Sequence, residues 1–193
     1  MWIAVCAAAI VLLLPVAAAV RWIERRSFFF PIVMIVTTPA DRGIEFSDVA
    51  FPSEDGVRLT GWWIPATAPA RATLLFFHGN GGNISHRVDK ARFLRMLGLN
   101  VLLVDYRGYG HSQGRPSEVG LCRDARAALA YLATERRIPA ESVVVYGESL
   151  GGAEAARLAA ERTVKGLVIE CSFSSIRDMA KKYYPWVPGW FVR

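Results

Sequence analysis

The stretch Val143-Val-Val-Tyr-Gly-Glu-Ser-Leu-Gly-Gly-Ala-Glu-Ala-Ala-Arg-Leu-Ala-Ala-Glu161 decides the fold. It opens on a continuous apolar run suited to a strand buried on both faces. It closes on an alanine-rich run suited to a helix. Between them stands Gly147-Glu148-Ser149-Leu150-Gly151, a G-x-S-x-G pattern. Five such residues alone occur often by chance. Set between a strand and a helix they describe a nucleophile elbow, a turn sharp enough to demand small residues on both sides of the serine. Gly147, Gly151, Gly152 and Ala153 meet that demand. Ser149 then stands at the positive end of a helix, where a developing negative charge is favoured. The plainer alternative is a serine that only caps its helix.

The same grammar extends outward in both directions. Thr73–Phe77, Val101–Val104 and Leu167–Ile169 are further apolar runs. Ile84–Leu97 and Ser117–Arg136 lie between runs and carry apolar residues at helical spacing. Buried strands alternating with helices imply βαβ units and a parallel sheet. Upstream, Ile44–Phe51 and Val57–Ile64 show partial period-two alternation around Asp55-Gly56, a turn signal. The expected sheet is an antiparallel hairpin followed by parallel strands with flanking helices, six strands in all.

In such a sheet, chemistry gathers beyond the carboxyl ends of the strands. After Thr73–Phe77 comes His78-Gly-Asn-Gly-Gly-Asn83. Glycines 79, 81 and 82 let backbone amides approach a substrate. An elbow enzyme needs two N–H donors for an oxyanion. The residue after the nucleophile, Leu150, supplies one, and Asn80 is the natural source of the other. A phosphate loop does not fit here, because neither dinucleotide nor Walker spacing can be laid on the segment. After Val101–Val104 comes Asp105-Tyr-Arg-Gly-Tyr-Gly-His-Ser112. Asp105 and Arg107 read as a structural ion pair or loop staple, and His111 as a surface residue.

Taken together, these motifs resemble the α/β-hydrolase fold family, in particular its serine aminopeptidase-like group and the single-pass, membrane-anchored hydrolases. The residues that carry the likeness are D-G-V-R-L-T-G-W-W-I-P (55–65), H-G-N-G-G-N (78–83), D-Y-R-G-Y-G-H-S (105–112), G-E-S-L-G-G (147–152) and V-I-E-C-S-F (168–173). It implies ester, thioester or amide hydrolysis through an acyl-enzyme. Ser149 would be the nucleophile, the Asn80 and Leu150 amides the oxyanion hole, and His78, Gly79, Gly81, Gly147 and Gly151 the supporting motif residues. No metal or organic cofactor is implied.

One departure is large. In this fold the triad runs serine, acid, histidine along the chain. None of the 44 residues after Ser149 is a histidine; His78, His86 and His111 all precede it. Neither acid nor base is therefore assigned within the chain. Glu170 is a weak substitute for the acid, having no base to orient, and Asp178 reads as solvated. The expectation is a hydrolase domain truncated after its sixth strand, with little turnover. The alternative is a degenerate, non-catalytic hydrolase that binds a ligand or partner through the half-site.

The amino terminus carries a separate signal. Trp2–Val20 is 19 residues without a charged side chain, about 28 Å as a helix and so near the hydrocarbon thickness of a bilayer. Arg21, Arg25 and Arg26 follow it; by the positive-inside rule they keep the body of the chain cytoplasmic. Residues 1–20 are expected to be a membrane anchor, 21–43 a juxtamembrane linker and 44–193 the partial hydrolase domain. Ala17-Ala18-Ala19 also offers a signal-cleavage site, with export as the alternative, and a buried core helix is the third reading. The apolar Phe28–Val36 run suits either a membrane interface or a packed linker. The expected partners are thus a membrane and a small acyl, ester or peptide substrate. Charge argues for nothing more: 23 basic and 17 acidic residues leave +6, but the basic ones are dispersed without a stacking stripe, so nucleic acid is not expected. Cys6, Cys122 and Cys171 are too few and scattered for a disulfide framework or a metal cage.

Overall fold

The structure, a computed structural model, describes residues 29–173 together with 175, 178, 181, 182 and 185. The anchor or signal expected over 1–20 lies outside them. Among the described residues, no helix is long and apolar enough to cross a membrane.

Six strands build one sheet: β1 (Ser47–Pro52), β2 (Arg58–Ile64), β3 (Ala72–Phe77), β4 (Leu99–Asp105), β5 (Val143–Glu148) and β6 (Gly166–Glu170). Their spatial order is β1-β2-β4-β3-β5-β6. β1, β2 and β4 pair antiparallel, while β4, β3, β5 and β6 run parallel. The hairpin closes where expected: Ser53 N–H donates to Val57 O at 2.8 Å, and Gly56 takes φ 79°, a conformation that favours glycine.

The first strand is shorter than its alternation suggests. The β1–β2 ladder stops at Ser47 opposite Trp63. Two steps further along the register Glu45 would face Pro65, which has no N–H to give. Ile44 leaves the ladder and enters the core instead.

Among the described residues three helices cover the sheet: α1 (Val88–Met96), α2 (Glu118–Thr134) and α3 (Leu150–Glu161). α1 begins later than Ile84, because Ile84–Arg87 winds as a 3₁₀ turn capped by Asn83, whose Oδ1 accepts from Ser85 N at 2.9 Å. α2 is capped by Ser117, whose Oγ accepts from Gly120 N at 3.1 Å. Side chains alternate across a strand, so the sheet has two apolar faces. On one, Leu74, Phe76, Val101, Leu103 and Tyr146 pack with Val88, Ala91 and Leu94 of α1. Leu75, Phe77, Leu102, Val104 and Val145 point to the other, the side left for α2 and α3. β6 differs from the rest of the sheet: Leu167, Val168 and Ile169 are 41–49% exposed.

Candidate functional site

β3 and β5 are parallel neighbours, with Phe77 opposite Gly147. The glycine loop after β3 and the elbow after β5 therefore leave the same end of the sheet, side by side. At the elbow, Ser149 has φ 52° and ψ −112°. A non-glycine residue rarely holds that conformation, and holding it costs on the order of 1–3 kcal/mol. The turn is fixed from three sides. Ser149 N–H donates to Glu170 O at 2.9 Å, Gly152 N–H donates to Ser149 O at 2.9 Å, and Ser172 Oγ donates to Ser149 O at 2.7 Å.

The two elbow glycines have a steric reason. A Cβ on Gly147 would sit 2.1 Å from Gly151 O. One on Gly151 would sit 2.1 Å from Phe77 O and 2.8 Å from His78 O. The second contact shows how closely α3 starts against the glycine loop. Gly79 continues the contact: it is buried, and a Cβ there would lie 3.6 Å from the backbone oxygen of Glu148, the residue before Ser149. Asn80 is half-buried, and Tyr109 Oη donates to its Oδ1 at 2.8 Å, which fixes the side chain of the residue whose amide is the candidate oxyanion donor. Leu150, the other candidate, is the first residue of α3 and half-buried.

The histidines take three different places. His78 is fully buried against Tyr106 and Tyr109. Its Nδ1 lies 2.7 Å from Gly79 O, which can only accept, so that nitrogen is the donor. Its Nε2 lies 3.4 Å from Asp105 Oδ1. His78 is thus a pillar beneath the loop. His86 Nδ1 accepts from Asn83 N at 3.2 Å, on the 3₁₀ turn before α1. His111 is exposed at a cavity of about 480 Å³ that Phe46, Thr60, Trp62 and Asp105 also line.

Asp105 and Arg107 do not pair with each other. Asp105 Oδ1 accepts from Ile84 N at 3.0 Å and faces His78. Arg107 is a staple with different partners: its guanidinium reaches Asp124 at 2.7 Å, Asp55 at 2.8 Å and Ser53 Oγ at 3.1 Å. The Arg107 guanidinium, helped by Arg123, holds the Asp55 carboxyl well below the usual carboxylate range.

A second ionic cluster borders the elbow. Lys90 Nζ lies 2.9 Å from Glu148 Oε2 and 2.8 Å from Glu170 Oε1, and Arg87 Nη2 lies 3.2 Å from Glu148 Oε1. Burial works against the Lys90 charge, but bonds from Glu170 and Glu148 more than offset it and raise its pKa. Both carboxylates belong to residues that frame Ser149, one by sequence and one by backbone hydrogen bond. Glu170, weighed from sequence as an acid, is held here by Lys90. Asp178 is exposed, and its N–H donates to Ser175 Oγ at 3.0 Å. Behind the elbow, burial raises the Glu154 carboxyl to about 7 and the neighbouring Cys122 thiol to about 12. Glu154 Oε2 has no hydrogen-bond partner. Among the described residues no cluster of His, Cys, Asp and Glu could hold a metal.

The family profile described as alpha/beta hydrolase fold matches residues 72–193. The uncharacterized protein Rv2307c of Mycobacterium tuberculosis is 40% identical over 166 residues, 86% of this chain and 59% of that protein. The alpha/beta hydrolase domain-containing protein WAV2 of Arabidopsis thaliana is 42% identical over 159 residues, 80% of this chain and 51% of that protein. The uncharacterized membrane protein YNL320W of Saccharomyces cerevisiae is 35% identical over 153 residues, 78% and 54%. Among solved structures, the Pyrococcus furiosus esterase Pf2001 superposes with a TM-score of 0.67 at 27% identity, covering 83% of this chain and 66% of that one. The chain spans 51–59% of the length of these three relatives.

Proposed function

The chain belongs to the α/β-hydrolase fold family, and on that premise we propose that it carries the nucleophile half of a membrane-anchored serine hydrolase acting on esters, thioesters or amides. The observation that carries this reading is Ser149 held at φ 52° between a strand and a helix N-terminus, with the glycine loop packed against it. Ser149 Oγ attacks the substrate carbonyl carbon. The carbonyl oxygen becomes an oxyanion and accepts from the Leu150 and Asn80 backbone N–H groups. The tetrahedral intermediate collapses, the bond to the leaving group breaks, and the acyl group stays on Oγ. In an elbow enzyme a histidine takes the Oγ proton and hands it to the leaving group; residues 150–193 contain no histidine, so within these residues water has to carry that proton from Oγ to the leaving group. Without that base, turnover falls by on the order of 10⁶, leaving roughly 10³ over water from the oxyanion hole. The purified 193-residue chain is therefore expected to hydrolyse activated esters slowly.

Fluorophosphonate labelling read by mass spectrometry tests the assignment. Modification concentrated on Ser149 and lost in Ser149→Ala supports it. Modification spread evenly over the serines overturns it and leaves a binding protein as the better reading. Fast ester hydrolysis abolished by Ser149→Ala would keep the nucleophile but overturn the missing base.

Attachment to a membrane rests on the uncharged Trp2–Val20 run with its arginine flank, and one relative is itself named a membrane protein. The body of the chain then faces the cytoplasm. Resistance to carbonate extraction, with the body protease-protected in sealed right-side-out vesicles, is the expected outcome; a soluble, shortened product would favour export after cleavage.

A further inference from the structure

Ile32, Val33, Met34 and Val36 are 42%, 64%, 69% and 55% exposed. They fall in a long uncharged stretch, since no charged side chain occurs between Arg26 and Asp41. Four neighbouring apolar side chains in water are unfavourable by roughly 25 cal/mol for each Å² left wet, and such patches mark surfaces that meet something.

The exposure is enforced by the fold. Ile32 N–H donates to Gly82 O at 3.2 Å, and Gly110 N–H donates to Ile32 O at 3.0 Å. Asn83 Nδ2 donates to both Ile32 O at 2.9 Å and Met34 O at 2.8 Å, while Val36 N–H donates to Ser85 Oγ at 3.1 Å. Asn83 is itself fully buried, with its Oδ1 taken by Ser85. Ile35, between the exposed residues, packs on the core. A buried asparagine and five hydrogen bonds thus pin this strap flat on the domain with its apolar side chains outward.

We propose that the strap of residues 32–36 rests on a lipid bilayer and seats the glycine loop of the candidate site at the membrane surface. The inference rests on the membrane-anchored reading above and goes beyond it. Two features of the chain choose the bilayer as occupant. Ile32 lies twelve positions after Val20, the end of the uncharged run, a reach of at most about 40 Å at full extension, so a chain anchored through that run holds the strap within that distance of the bilayer. Arg21, Arg25 and Arg26 lie on that tether and are drawn to anionic headgroups. The strap is also bonded to Gly82 and Asn83, at the far end of the loop that holds Asn80. Contact there brings the glycine loop to the lipid, and the substrate class this favours is an amphiphilic ester whose acyl chain partitions into the bilayer.

The test uses the full chain in vesicles of an equal mixture of phosphatidylcholine and phosphatidylglycerol. In a Cys6→Ala, Cys171→Ser background, Met34→Cys carries an environment-sensitive fluorophore. Val119→Cys, exposed on α2, is the control. The expected result is co-flotation with vesicles, blue-shifted emission at position 34 and its loss on adding spin-labelled lipid, with position 119 unchanged. Co-flotation with position 34 still reporting water overturns the strap and leaves the anchor standing. No flotation overturns both. Emission at 34 that shifts with protein concentration and ignores spin-labelled lipid overturns the bilayer in favour of a second copy of the chain.

Discussion

Two ionic clusters sit at the carboxyl ends of the strands, and they differ mainly in water. Arg107 and Asp124 have side chains 7% and 1% exposed, while Lys90, Glu148 and Glu170 are 29%, 20% and 42% exposed. The Arg107 cluster ties the loop after β4 to α2 and to the β1–β2 hairpin. The Lys90 cluster ties α1 to the two residues that frame Ser149. Burial makes the first expensive to break, because a lost partner leaves an uncompensated charge in the interior. Access to water makes the second cheap to break, so its value lies in where it holds Glu148 and Glu170. The staple supports the fold, and the cluster at the elbow trims the site.

That contrast can be broken by mutation. Arg107→Met strands Asp124 and should lower the unfolding free energy by about 3–5 kcal/mol, read by urea denaturation. A loss no larger than that of a surface pair would end the distinction. Glu154 tests burial where it outweighs a weak partner, the Cys122 thiol, and the nearby Arg157 charge. Its carboxyl titrates near 7 in the folded chain and at 4.5 when free. The folded state therefore holds its proton more tightly, and stability is fully present below pH 4.5, declines as pH rises toward 7 and is flat above it. The loss is on the order of 3 kcal/mol. Glu154→Gln should flatten that slope, so the variant gains on the wild type only at the alkaline end. Parallel pH profiles of the two chains would discount the buried carboxyl as its source.

Lys90→Met should cost about 1 kcal/mol or less in stability. Its larger effect should be slower fluorophosphonate labelling of Ser149, because Glu170 loses its cation, Glu148 keeps only Arg87, and the two carboxylates repel each other beside the elbow. Unchanged labelling would reduce the cluster to a surface feature. At the bottom of the scale, the exposed Arg126–Glu161 pair at 2.7 Å should leave no measurable mark on stability, and thermal melts of Arg126→Ala check it.

What the sequence made legible was what is local. The elbow, the glycine loop, the Asp55-Gly56 hairpin and α3 are each written in a few adjacent residues, and the structure places them where those residues say. What it hid was written at a distance. Arg107 finds Asp124 and Asp55, 17 and 52 residues away, rather than Asp105 two residues away. Lys90 finds Glu170 across 80 residues. A charge in a sequence offers no hint of its partner once folding brings several candidates within reach. The late start of α1 was hidden for a different reason: Ile84–Leu97 has helical spacing throughout, but Asn83 caps a tighter turn that takes up the first four residues. The strap was half legible. Its apolar run is plain, while the buried asparagine that turns it outward lies 49 residues downstream of Met34.

The backbone of Ser149 has one more consequence. With φ at 52°, serine is not the residue the fold alone would choose at this position. Glycine would relieve the turn, so Ser149→Gly should be more stable than the natural chain, by about 1 kcal/mol, while Ser149→Thr, which adds a branch at Cβ, should be among the least tolerated changes. A library at this position sorted for folding should favour glycine and one sorted for fluorophosphonate labelling should favour serine, and the stability gap between the two winners measures what the proposed nucleophile sets against thermal endurance.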